Sequence, residues 1–278
     1  MAPTVFFWFE YASPYSMVSA LRLFRALTAT TTAATGGGLP SCQVPALSKV
    51  NVEYKPIMFG PVFKAAGQTM MPNIQVPLKG RYMFHDIKRM LDTLDSPGFP
   101  ATQPQNWPPS TALSARMTWL LAQGPERLCA LNSGTTEAAP TLQLGGRALR
   151  VLAEFVWRVY ETEFIANENI GDPSVMARLW DTYVVSGLGG YSSKTGNIPD
   201  GKGAVELAGS QIAKDGLRSM TQEAIEHGLF GAPSFTTEDG DMYWGNDRLL
   251  DAVTHHTFKD KMGQQEQGFC AKHSQPNL

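Results

Sequence analysis

The chain has 278 residues, 43% hydrophobic and 17% charged, with a formal net charge of −2. That length buries a sizeable core, and the apolar and aromatic content excludes disorder for the bulk of the chain. A near-neutral balance gives no electrostatic case for binding nucleic acid or an anionic membrane surface, and no apolar run reaches the roughly 18 residues that span a bilayer.

The first expected element is a strand at Thr4–Phe9, TVFFWF. It is β-branched, aromatic and nearly continuous in apolar character, as a strand covered on both faces should be. A turn, Glu10-Tyr11-Ala12-Ser13, leads into a helix that Pro14 opens and that runs to about Thr28. Ser13 reads as its N-cap and Pro14 as its first residue. Met17, Val18, Leu21 and Phe24 form its apolar stripe. Residues 28–48, rich in Thr, Ala, Gly and Pro, read as a loop. Val50–Ile57 alternates and reads as a second strand, parallel to the first in a right-handed βαβ unit.

After Pro61 the pattern is helical for about 150 residues. Helices are expected at Gly80–Leu94, Thr111–Gln123, Arg147–Ile165, Pro173–Gly187 and Ser219–His227. Long loops are expected at Asp95–Ser110, Gly124–Gly146 and Gly187–Gly203. Strands then return: Ser234–Thr237, a turn at Glu238–Asp241, and Met242–Trp244. A last helix is expected over Asp247–Phe258, followed by a polar tail from Lys259. The fold class is α/β: a thioredoxin-like domain (βαβ-ββα) carrying a large inserted α-helical subdomain. The expected division is residues 1–60 plus 215–278 for the first unit and 61–214 for the second.

Three scattered cysteines, Cys42, Cys129 and Cys270, form neither a disulfide framework nor a metal-ligand spacing, so a reducing compartment is expected. His255 and His256 are adjacent and point apart on a helix, so no metal is expected. The N-terminal apolar run stops at Glu10 with no basic residue before it, which argues against a signal peptide. A cytoplasmic protein is expected, with mitochondrial or peroxisomal placement open.

In this layout the chemistry sits where the first strand ends and the first helix begins. Backbone N–H groups and the helix dipole there favour a thiolate. Redox members carry Cys-x-x-Cys at this point. Here the residues are Ser13-Pro14-Tyr15-Ser16, and a dithiol cycle is excluded. The Ser13 hydroxyl caps the helix or donates a hydrogen bond to a ligand's sulfur. Phe230-Gly231-Ala232-Pro233-Ser234 suggests a cis-proline before the third strand, with Ala232 open to an extended peptide. Asn246 and Asp247 open the last helix, either as caps or as partners for charged peptide ends.

FFWFEYASPYS (6–16), KPIMFGPVFKAAGQ (55–68), KGRYMFHDIKR (79–89), FGAPSF (230–235) and YWGNDRL (243–249) together resemble the kappa-class glutathione transferases and the related 2-hydroxychromene-2-carboxylate isomerases, in the DsbA-like branch of the thioredoxin superfamily. The resemblance implies glutathione as cofactor and Ser13 as the catalytic residue that contacts its sulfur. It implies that Ala232 and Pro233 bind the peptide backbone and Asn246 and Asp247 the γ-glutamyl end. Gln68 stands where the family has Asn. The partner expected is a small, apolar electrophile, aromatic or an enone, with Met58, Phe59, Phe63, Met70, Met71, Phe84 and Trp107 as candidate pocket residues, and a homodimer is expected. The enzyme is a transferase or a glutathione-dependent isomerase. The reading from another class is a non-catalytic glutathione or peptide-binding module.

Overall fold

The computed structural model describes residues 2–28, 47, 49–94, 96, 99–100, 103–134, 144, 146–189, 191–194 and 196–255. The sheet contains β1 (Thr4–Phe9), β2 (Asn51–Pro56), β5 (Ser234–Thr237) and β6 (Met242–Trp244), in the order β2-β1-β5-β6. β1 runs parallel to β2, and β5 is antiparallel to both β1 and β6. Helix α1 (Pro14–Thr28) makes the βαβ crossover. This is the expected α/β layout, βαβ followed by ββα, with a helical insertion between the halves.

Alternation along β1 sorts its side chains between two layers. Phe7 stacks on Phe9 at 4.9 Å and on Phe235 at 5.3 Å between ring centroids. These rings join the main core with Met17 and Leu21 of α1. Trp8 points to the opposite face, among Ile57, Val62, Ala224 and Leu229. Its indole N–H donates to the Thr236 hydroxyl at 2.8 Å, which satisfies a polar atom that burial would otherwise orphan. Both faces of the strand are thus covered, as its unbroken apolar run requires.

The insertion begins with α2 (Phe59–Ala65), whose Val62 packs on the Trp8 face, then α3 (Pro72–Gln75) and α4 (Pro77–Thr93), whose Met83, Phe84 and Ile87 join the main core. Then come α5 (Ala112–Ala122), α6 (Pro125–Asn132) and α7 (Gly146–Phe164), the last packed along α1. Helix α8 is α-helical over Pro173–Leu179, widens to a π turn over Trp180–Val185 and ends at Leu188. A small hairpin, β3 (Ser192–Ser193) and β4 (Gly196–Asn197), precedes α9 (Gly201–Ala208) and α10 (Gln211–Glu226). After β6, a 3-10 turn at Asn246–Arg248 continues into α11 over 249–255.

Three expectations need correction. The loop expected at Gly124–Gly146 contains α6, and that at Gly187–Gly203 contains the hairpin and the start of α9. Both α6 and α9 have eight residues, too short for a convincing 3.6-residue stripe. The helix expected at Ser219–His227 begins at Gln211, where Ser210 caps it by accepting from the Ala213 N–H at 3.3 Å. Gly216 lies inside it because the Trp119 ring lies 2.1 Å from where a Cβ would sit. The expected division at 214/215 therefore cuts α10. The tail from Lys259, most of the 28–48 segment and the end of the last helix lie outside the described residues.

Gly201 gives a direct test of how α9 seats on α8. A Cβ there would lie 2.2 Å from the Ala177 carbonyl oxygen, which is backbone and cannot step aside. Gly201→Ala is expected to lower the unfolding free energy by about 2 kcal/mol. Urea titration measures it, and an unchanged midpoint would mean the two helices part freely.

Candidate active site

The turn after β1 is locked by buried polar contacts from distant parts of the chain. The Glu10 carboxyl accepts the Ala12 N–H at 2.6 Å and the Thr111 hydroxyl. The Glu10 carbonyl accepts the Tyr160 hydroxyl at 2.9 Å and the Ser13 N–H at 3.0 Å. Trp107 donates its indole N–H to the Ala12 carbonyl at 3.1 Å. Burial pushes the Glu10 carboxyl up to about 7, although both of its hydrogen bonds favour the ionised form.

Ser13 ends this turn, and its side chain is buried. Its Oγ accepts the Ser16 N–H at 3.2 Å and donates to the Ala232 carbonyl at 2.9 Å. The hydroxyl thus caps α1 and bridges to the loop that carries Pro233. The Ala232–Pro233 bond is cis. The Pro233 carbonyl accepts the Gly245 N–H at 2.9 Å, so that oxygen already belongs to the chain's own hydrogen bonds.

Ser13 and Ala232 open onto a cavity of about 570 Å³. Phe59 and Phe63 of α2 line one wall, stacked at 4.6 Å. Met71, Met83 and Phe230 add further apolar surface. The mouth carries Leu78, Tyr82 and Trp244, which are 69%, 57% and 55% exposed. Large apolar side chains held this open to water mark a surface built to be covered.

Few polar groups enter the cavity. Gly67, at φ +75°, turns the chain off the end of α2 and delivers Gln68 to the wall. The Gln68 N–H donates to the Phe63 carbonyl at 2.7 Å, while its side-chain Oε1 is enclosed and has no partner among the described residues. Tyr15 donates to Asp86 Oδ2 at 3.0 Å, and burial, together with that carboxylate, raises its phenol. Lys79 supplies a positive charge to the lining.

Of the residues singled out in the sequence, Ser13, Gln68 and Ala232 come together at this cavity, with Phe59, Phe63 and Met71. Pro233 adjoins them without lining it. Asn246 is committed elsewhere: its Oδ1 accepts the Ser19 hydroxyl at 3.1 Å and Arg22 at 3.2 Å, and its carbonyl accepts Arg22 at 2.7 Å. These bonds clamp the last turn to α1. Asp247 is exposed, 3.6 Å from the Arg248 guanidinium. Met58 lies beyond α2, Met70 is exposed, and Phe84 and Trp107 meet edge to face at 5.7 Å beside a different cavity.

Sequence reasoning missed Glu10, Tyr15, Lys79 and Asp86. It also missed Asp239, Asp241 and His255, whose side chains converge with the His255 Nε2 at 3.1 Å from Asp239 and 3.4 Å from Asp241. A carboxylate at the end of a buried strand was the available signal for Glu10.

A family model for the DSBA-like thioredoxin domain matches residues 4–182. No curated protein matches. Among solved structures, the chain is similar to a 2-hydroxychromene-2-carboxylate isomerase, at 18% identity and a TM-score of 0.56, covering 98% of this chain and 100% of that one. It is also similar to a probable DsbA oxidoreductase from Streptomyces coelicolor, at 14% identity and a TM-score of 0.54, covering 91% and 89%. Among the described residues, no helix is long and apolar enough to cross a membrane.

Proposed function

The chain belongs to the DSBA-like thioredoxin domain family, and on that premise we propose that it binds glutathione at the start of α1 and directs its sulfur at an apolar electrophile. The observation that carries this reading is the Ser13 hydroxyl at a helix N-terminus, beside a cis-proline loop, opening onto a large apolar cavity. In a redox relative that position holds the protein's own sulfur. With oxygen at both positions 13 and 16, the helix start can stabilise a thiolate but does not supply one.

The peptide lies along Ala232, as an added strand would. Its sulfur meets the Ser13 hydroxyl, whose proton turns from the Ala232 carbonyl to the ligand. Gln68 Oε1 accepts a peptide N–H, and Lys79 takes a carboxylate. Asn246 is held by α1, which leaves Asp247 for the γ-glutamyl amino group. The electrophile sits between Phe59, Phe63, Met71 and Tyr82.

In the transferase form the thiolate attacks carbon, a leaving group departs or a proton is taken up, and the thioether is released. In the isomerase form the same adduct forms, a bond rotates, and glutathione is expelled unchanged. The structural likeness to a 2-hydroxychromene-2-carboxylate isomerase keeps the second form beside the first. We also propose a homodimer, which sedimentation tests.

Glutathione titration followed by Trp244 fluorescence tests binding, with Trp244→Phe as control. Turnover is then screened with aryl halides and cis-enones. Saturable quenching with turnover of either class supports the reading, quenching without turnover favours a binding module, and no binding overturns both. Gln68→Ala is expected to weaken glutathione binding about fivefold, the worth of one buried neutral hydrogen bond. Unchanged affinity would remove Gln68 from the contact set.

A further inference from the structure

A second cavity, of about 300 Å³, lies behind α2 between α5 and α10. It shares no lining residue with the first cavity. Helix α2 is the wall between them: Phe59 and Phe63 line the first cavity, Met58 and Pro61 the second. The Met58 N–H donates to the Thr221 hydroxyl at 3.2 Å, tying that wall to α10.

The lining divides by chemistry. Met58, Pro61, Leu217 and Ile225 are apolar, while Arg116, Lys214 and Arg218 are cationic, and among the described residues no acidic side chain lines it. Arg218 is engaged by Asp215 on its own helix. Gln222 donates to Glu226 at 3.1 Å. Arg116 is different: its Nε is enclosed and has no hydrogen-bond partner among the described residues. The rest of that guanidinium lines the cavity with no hydrogen bond or ion pair among the described residues, and an anion in the cavity would give the charge a partner.

We propose that this cavity binds a small anion with an apolar body. Its carboxylate or phosphate head pairs with Arg116 and Lys214, and its hydrocarbon part lies against Met58, Leu217 and Ile225. The planar guanidinium matches either head group in a two-bond fork. The volume is at the small end of ligand cavities, about 300–1,000 Å³, which suits a medium chain or a single ring. The site stands independently of what the first cavity binds.

The test is methionine-methyl NMR of the full chain, with octanoate, octyl phosphate and uncharged octanol as probes. Met58 reports the second cavity and Met71 the first, so binding at the two is read separately. The Met58 resonance is assigned by Met58→Leu. It is expected to shift saturably with octanoate or octyl phosphate and to stay in place with octanol at the same concentration. The tighter of the two anions identifies the head group. Arg116→Gln is expected to weaken the Met58 response at least tenfold, and Lys214→Gln severalfold; the second variant carries the test if the first fails to fold. A Met58 signal unmoved by either anion, moved equally by octanol, or unaffected by both substitutions would overturn the proposal.

Discussion

Ser13→Ala is expected to lower glutathione-dependent turnover by about a hundredfold at saturating glutathione and pH 7, with the fold retained. A hydrogen bond from a hydroxyl to an anion contributes about 1.5–3 kcal/mol, which is about ten- to a hundredfold. Without it, the bound thiol titrates closer to its free value of about 8.5, and less of it is ionised at neutral pH. The structural cost is separable. Ser13 caps the Ser16 N–H at 3.2 Å, and losing such a cap costs about 1 kcal/mol. Its bond to the Ala232 carbonyl at 2.9 Å also goes. Both losses fit within the stability of about 5–15 kcal/mol typical of a domain. Turnover and thermal midpoint are therefore measured on the same preparation. A drop in turnover beyond what the midpoint explains supports the sulfur contact, and unchanged turnover refutes it.

The second large effect is on stability against pH. Burial raises Glu10 from 4.5 to about 7, and it does the same to Glu163, whose Oε1 has no partner among the described residues. Below pH 4.5 the folded and unfolded chains both hold these protons. Between that value and about 7, the unfolded chain releases them and the folded chain keeps them. The folded state then binds more protons, so stability falls as pH rises and the loss is complete above the folded value. For Glu10 the shift corresponds to at most about 3 kcal/mol. Urea unfolding at pH 5, 6, 7 and 8 is expected to show a decline that levels off above pH 7. Glu10→Gln, which still offers an acceptor to the Ala12 N–H, is expected to flatten a large part of it. A stability that rises across this range would contradict the desolvation of both carboxyls.

What was legible in the sequence is local. TVFFWF reads as a strand because each residue favours a pleated surface, and Ser13-Pro14 reads as a helix start because one residue caps and the next has no N–H to lose. The cis Ala232–Pro233 bond and the β5–β6 hairpin follow from short-range turn chemistry. The meeting of Ser13, Ala232 and Gln68 was also reachable, since strand order fixes which loops share an edge. The illegible part is long-range. Glu10 and Thr111 are 101 residues apart and Arg22 and Asn246 are 224, and no periodicity links them. Asn246 at a helix start suits a cap, a ligand contact or a clamp equally well, and only the position of Arg22 selects the clamp. Helices α2, α3, α6 and α9 have seven, four, eight and eight residues, and packing rather than pattern holds segments so short.

The most direct measurement is the ultraviolet thiolate absorbance that appears when glutathione is added to the protein at pH 7. Activation by Ser13 predicts a stoichiometric thiolate signal with the native chain and its loss with Ser13→Ala, while both proteins still bind the tripeptide. Binding without any thiolate, or the same thiolate signal from both proteins, would contradict it.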